Sequence, residues 1–173
     1  MEVPVHRSSL AQFFFYNTDS AWFWLIIRLY VGYEWLMAGW GKLGSPAWTG
    51  DNAGTAVTGF LKGALTKTTG DHPDVSMWYA WFVETVALPN ATLFSYLVTY
   101  GEILVGVALI VGFLVGIAAF FGAVMNFSFL FAGTVSVNPE LLLLQIFLIL
   151  AWRVAGWYGA DQKALPFLRR RSQ

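Results

Sequence analysis

Cysteine is absent from the 173-residue chain. Disulfides, iron–sulfur clusters and thiol relays within it are thereby excluded, and its redox compartment cannot be inferred. Histidine is nearly absent. His6 and His72 are the two present, and neither falls in an apolar segment. An intramembrane haem held by two histidines is therefore not expected, nor is a bound metal. Charge is scarce as well. Charged residues make up 12% of the chain, against about 25% in soluble domains. The net charge is zero, and no basic face carries interleaved aromatics, so nucleic acid is not an expected partner. No secretory leader is expected either. The first long apolar run starts near Ala21 and is too long and too charged to be a signal core.

What the chain has is apolar length. Hydrophobic residues make up 57% of it, and its mean hydropathy is +0.59. A helix that crosses a bilayer needs about 20 mostly apolar residues. Four segments qualify: Ser20 to Leu43, Ala91 to Val111, Val115 to Gly133 and Glu140 to Tyr158. The fold expected is all-α, an integral-membrane four-helix bundle with an extracytoplasmic helical loop, forming one membrane domain over residues 1–173. Asp19 and Ser20 are candidate caps of the first span, and Pro139 opens the last.

Charge asymmetry sets the expected orientation. Arg169, Arg170 and Arg171 lie in the C-terminal tail, whereas the loop after the first span holds Asp51, Asp71, Asp74 and Glu84 against Lys62 and Lys67. The positive-inside rule places residues 1–19 and the basic tail 159–173 in the cytoplasm, and the loop 44–90 outside a plasma membrane. Trp22, Trp24, Trp152 and Trp157 fit an inner aromatic belt, with Trp40 and Trp48 at the opposite boundary.

The outer loop is too long for a plain connector. In "TAVTGFLKGAL", Ala56, Val57, Phe60, Leu61 and Ala64 recur at helical spacing. "VSMWYAWFVETVAL" crowds aromatics. Both read as short helices on the membrane surface, forming either a lid over a pocket or a cap that only stabilises the bundle. His72, in "GDHPD", reads as a solvated turn residue.

The spans also hold Arg28, Glu34, Lys42, Glu102, Asn126, Gln145 and Arg153. Insertion of Arg, Lys or Asp at a helix centre costs roughly 2.5–3.5 kcal/mol, so these groups are expected to turn inward and meet. Arg28, Trp35 and Lys42 are spaced by sevens and share a face with Gly32 and Gly39. A stripe with glycines lets a helix or a ligand approach closely. Glu34 and Glu102 are candidate counter-ions for the arginines. Arg153 and Lys42 each have two readings, a site role or snorkelling to the interface. Asn126 and Gln145 are candidates for bonds between helices. Glu102 and Glu34 are the sharpest signals, because a short acidic side chain cannot reach water from mid-span.

The stretch "RLYVGYEWLMAGWGKL" resembles the first-helix pattern of the DoxX family, and "YGEILVGVALIVGFLVGIAAFFGAVMN" its second and third helices. "AWRVAGWYGADQKALP" is similar to the final helix of the DoxD-like branch. The resemblance covers about Trp22 to Pro166. It implies a four-helix membrane bundle and a membrane subunit of a thiosulfate:quinone oxidoreductase. That reaction joins two thiosulfates into tetrathionate and passes the electrons to quinone, with a DoxA-like partner subunit that has no counterpart in this chain.

On that expectation quinone is a substrate, Glu102 and Glu34 are catalytic proton carriers, and Arg28, Lys42, Trp35, Tyr100, Asn126 and Arg153 bind substrate or quinone. Phe129 is a further candidate wall of the quinone pocket. Lipid and a homo-oligomer are further expected partners. Two other classes stay open: a non-catalytic anchor or assembly subunit for a redox partner, and a small-solute or proton pathway.

Overall fold

The computed structural model describes residues 9–163. The described residues are helical, with no strand among them. The helices are α1 (Ser9–Tyr16), α2 (Ala21–Leu43), α3 (Pro46–Thr49), α4 (Thr55–Leu65), α5 (Met77–Phe82), α6 (Ala91–Val111), α7 (Val115–Phe131) and α8 (Asn138–Leu150). Four of them build the bundle. Helix α2 packs along α6 and α7 along α8, with fewer contacts joining α6 to α7 and α2 to α8. The tail arginines Arg169 to Arg171 and His6 lie outside the described residues.

The tightest seam follows from the glycines on the α2 stripe. A Cβ at Gly32 would meet the Gly106 carbonyl oxygen and the Ile110 backbone, and one at Gly39 the Ile103 and Thr99 backbones. From the other side, a Cβ at Gly106 would press on the Leu36 backbone. Missing side chains on both helices thus bring the two backbones together, as small residues do in membrane helix pairs.

Helix α6 has 21 residues at a mean hydropathy of 1.9 and is long and apolar enough to cross a membrane. Helix α7 has 17 residues and α8 has 13, or about 26 and 20 Å at 1.5 Å per residue. Both fall short of a core about 30 Å thick. Helix α2 has the length, at 23 residues, but carries Arg28, Glu34 and Lys42. Of the four expected spans, one therefore meets the requirement by itself.

The last helix ends at Leu150, not at Tyr158. Beyond it the chain closes into tight turns, with Val154 N–H donating to the Ala151 carbonyl and Trp157 N–H to that of Val154. The expected first cap also differs. Ser20 makes no side-chain cap bond and instead donates its hydroxyl to the carbonyls of Phe14 and Asn17. The Asn17 side chain caps the preceding 3₁₀ turn, accepting from Asp19 N–H at 2.9 Å. Trp24 is buried and donates to the Phe14 carbonyl at 2.7 Å, so it serves packing against α1, whereas Trp22 is exposed.

The loop 44–90 forms a roof over the bundle end opposite α1. Val57, Leu61 and Ala64 of α4 pack with Tyr79, Val83 and Ala87 in a second apolar cluster. Val83–Ala87 is a π turn, closed by Leu88 N–H donating to the Val83 carbonyl at 2.8 Å. Ser95 and Thr92 of α6 fasten the roof by donating to the Trp48 and Ala53 carbonyls. Lys67 caps the far end of α7, donating to the Gly133 carbonyl at 2.7 Å, where the helix dipole favours a cation. His72 is exposed on a turn.

Candidate functional site

Two polar centres lie at opposite ends of the bundle. The first surrounds Arg28, which is 1% exposed. Its Nη2 donates to the Tyr158 carbonyl at 3.0 Å. The guanidinium rests against Gly112 and Gly159, where any Cβ would overlap it. Gly112 also takes the left-handed conformation, φ 73°, that turns α6 into α7. Asp161 completes this knot. Its carboxylate accepts from Leu114 N–H at 2.6 Å and Val115 N–H at 3.0 Å. An acid at a helix N-terminus meets both the free N–H groups and the dipole. The bond also holds Leu114 at φ 49°, a conformation strained for a residue with a side chain.

Asp161 is thus the acid near Arg28, a place the sequence reading gave to Glu34 or Glu102. It was missed because it lies 46 residues after Val115, the first residue of the helix it caps, in a stretch read as cytoplasmic tail. The only local hint was an acid after a glycine turn.

The second centre is a cavity of about 580 Å³ between the bundle and its roof. Trp48, Phe60, Phe82, Phe94 and Phe129 supply aromatic walls. Its polar feature is an ion pair, Lys42 Nζ to Glu102 Oε2 at 2.7 Å, with Glu102 2% exposed. Lys42 sits in the last turn of α2 yet does not snorkel outward. It folds back along its own helix, donates to the Ala38 carbonyl at 3.2 Å and lies 5.1 Å from the Trp48 ring centre. Helical side chains lean toward the N-terminus, which here is the cavity side. Glu34 also lines the cavity, and no hydrogen bond or ion pair of its side chain is recorded among the described residues.

Behind the cavity wall lies an amide pair. Gln145 and Asn126 meet at 2.6 Å, both fully buried. With its amide turned to satisfy Trp35, the Gln145 oxygen accepts from Trp35 Nε1 at 2.6 Å and its nitrogen donates to the Leu141 carbonyl. Gly122 makes the room, since a Cβ there would overlap Gln145.

The cavity thus gathers Glu34, Trp35, Lys42, Glu102 and Phe129, with Asn126 behind it. Arg28 is at the other end. Arg153 is exposed and stacks over Trp152, 4.5 Å from the ring centre, and over Tyr16. Tyr100 faces outward, stacked on Tyr96. In the roof, Tyr79 donates to the Ser128 carbonyl at 2.7 Å, and burial pushes its phenol up to about 12. Among the described residues no cluster of His, Asp and Glu has the grouping of a metal site.

Comparison with curated proteins and with solved structures gives no match. A family model does match. It spans residues 23–134, from the first turn of α2 through the roof and the Glu102 helix to the end of α7, and so contains every residue named above at the cavity except those of α8 and its lead-in. The chain belongs to the DoxX family.

Proposed function

We propose that this DoxX-type membrane protein is a multi-pass subunit of a quinone-linked oxidoreductase and binds quinone in the roofed cavity. By its resemblance to the DoxD-like branch, the donor is a small sulfur compound, thiosulfate going to tetrathionate. Both termini lie on the cytoplasmic side. Two features support the spanning reading: the apolar helix α6, and outward residues such as Leu104, Phe120 and Phe121 exposed on α6 and α7. The described chain ends also meet at one end of the bundle, where Arg28 holds Tyr158 and Arg153 lies over Tyr16.

The observation that carries the quinone reading is the Lys42–Glu102 pair set in an otherwise apolar, aromatic-walled cavity. A quinone head is flat and apolar, with an oxygen at each end. Apolar pockets with a few placed polar groups suit such ligands. Joining two thiosulfates through a sulfur–sulfur bond releases two electrons. Quinone takes those two electrons and two protons to become quinol. Glu102 and Glu34 face the cavity and deliver the protons, while Lys42 steadies the charge that develops on oxygen.

The test uses the purified full chain in nanodiscs. A short-chain benzoquinone is titrated against it, then its reduction is followed with thiosulfate as donor. Turnover that disappears in Glu102→Gln, with the fold retained, supports catalysis. Quinone binding with turnover only beside a co-purified partner supports the subunit role. A folded protein that binds no quinone overturns the reading and leaves the anchor.

A further inference from the structure

Among the described residues Lys42 is the one base lining the cavity, and its ammonium has little left to offer. It has three N–H bonds. One goes to the Ala38 carbonyl, one to Glu102, and the third side faces the Trp48 ring. That last contact is weak enough to exchange for one neutral carbonyl. It is no site for a doubly charged anion, which would also have to shed its water in an apolar chamber. Among the described residues no other cation lines the cavity. Lys67 is bound to the Gly133 carbonyl, Lys62 is exposed on α4, and Arg28 is held at the other end.

Glu34 tips the balance further. Lys42 and Glu102 offset one another as one base against one acid, so Glu34 leaves the cavity lining with one acid in excess. Other ionisable groups nearby do not reverse this. Tyr30, one turn earlier on α2, donates to Glu140 of α8 at 3.0 Å, and Tyr79 faces in from the roof as a neutral phenol. Glu140 is a further acid beside the seam between α2 and α8.

We propose that Glu34 makes the cavity an anion-rejecting site that admits neutral ligands with a hydrogen-bonding end and excludes thiosulfate and similar sulfur anions. The identity of the neutral ligand as quinone rests on the reading above; the charge filter does not. Oxidation of the sulfur anion then takes place on a separate redox partner whose own electron-carrying cofactor takes up the two electrons and passes them to the ligand in the cavity. On this proposal Lys42 and Arg28 do not hold the sulfur anion.

The cysteine-free chain allows a direct test. Ser128→Cys places a single thiol on the cavity wall, and Leu97→Cys places one on the α6 side should the first variant fold poorly. Each is reacted in nanodiscs with methanethiosulfonates bearing a neutral, a trimethylammonium or a sulfonate head. Rates are normalised to those of free cysteine. The cationic reagent is expected to outpace the anionic one by about tenfold or more, the scale of field focusing in a charged cleft. Glu34→Gln is expected to bring that ratio close to one. Equal normalised rates in the parent, or a bias unchanged by Glu34→Gln, overturn the proposal. A short-chain quinone is added in a second arm. Protection from the neutral reagent supports the quinone reading, and a charge bias without protection sinks that reading while the filter stands.

Discussion

Lys42 and Glu102 are 60 residues apart and meet at 2.7 Å, because the lysine turns back down α2 instead of reaching for the interface. Removing one member leaves the other unsatisfied, and the two losses are unequal. Lys42→Met strands a carboxylate that is 2% exposed and is expected to cost about 3 kcal/mol. Glu102→Gln leaves a lysine that is 21% exposed and still bonded to the Ala38 carbonyl, so it costs less. The double variant recovers part of the loss. Chemical unfolding in detergent checks this order, and equal costs contradict it.

The α2–α6 seam predicts a sharp contrast among glycines. Gly39→Ala and Gly106→Ala each force a methyl against the backbone of the facing helix and are expected to destabilise by about 1–3 kcal/mol. Gly41→Ala and Gly63→Ala meet open space. They are expected to be neutral, or stabilising by up to about 1 kcal/mol through helix propensity. Melting temperatures of the four variants read this directly.

Asp161 is expected to control the end of the bundle where Arg28 holds Tyr158. Asp161→Ala removes the cap of α7 and the acid near buried Arg28. The cap alone is worth about 1 kcal/mol. Hydrogen exchange should quicken at Leu114 and Val115 and through residues 158–163, with the roof unchanged. Unaltered exchange at Leu114 shows that the cap is dispensable.

Tyr79 gives a pH signature. Its phenol ionises near 10 in the unfolded chain but is raised to about 12 by burial in the roof. Below pH 10 both states keep the proton, and its contribution is complete. Between about 10 and 12 the unfolded chain loses the proton while the folded one holds it, so stability falls as pH rises. Tyr79→Phe is expected to flatten that part of the stability profile. A parallel fall in both proteins assigns the loss to other groups.

The local helices were readable because their signals are local. Ala91 to Val111 has the length and composition of a span, and its observed bounds coincide with those expected. The periodic apolar residues of "TAVTGFLKGAL" gave α4, and the seven-residue spacing of Arg28, Trp35 and Lys42 marked the face on which Arg28, Gly32, Trp35 and Gly39 are buried, while Lys42 is only partly so. The last helix was overextended because apolar composition continues past Leu150, whereas the chain turns to bring Tyr158 onto Arg28.

The sequence by itself determined that this is a cysteine-free, apolar helical chain with costly ions in its long helices and glycines where two of them touch. Burial energy and helical periodicity act over a few turns, so composition and spacing suffice to reveal them. Partner choice was settled by tertiary structure: Lys42 with Glu102, Arg28 beside Asp161, Gln145 with Asn126 and Trp35. Which charge meets which depends on helix register, on the lean of each side chain and on a turn 46 residues after the first residue of the helix it caps, and no short stretch of residues encodes those distances.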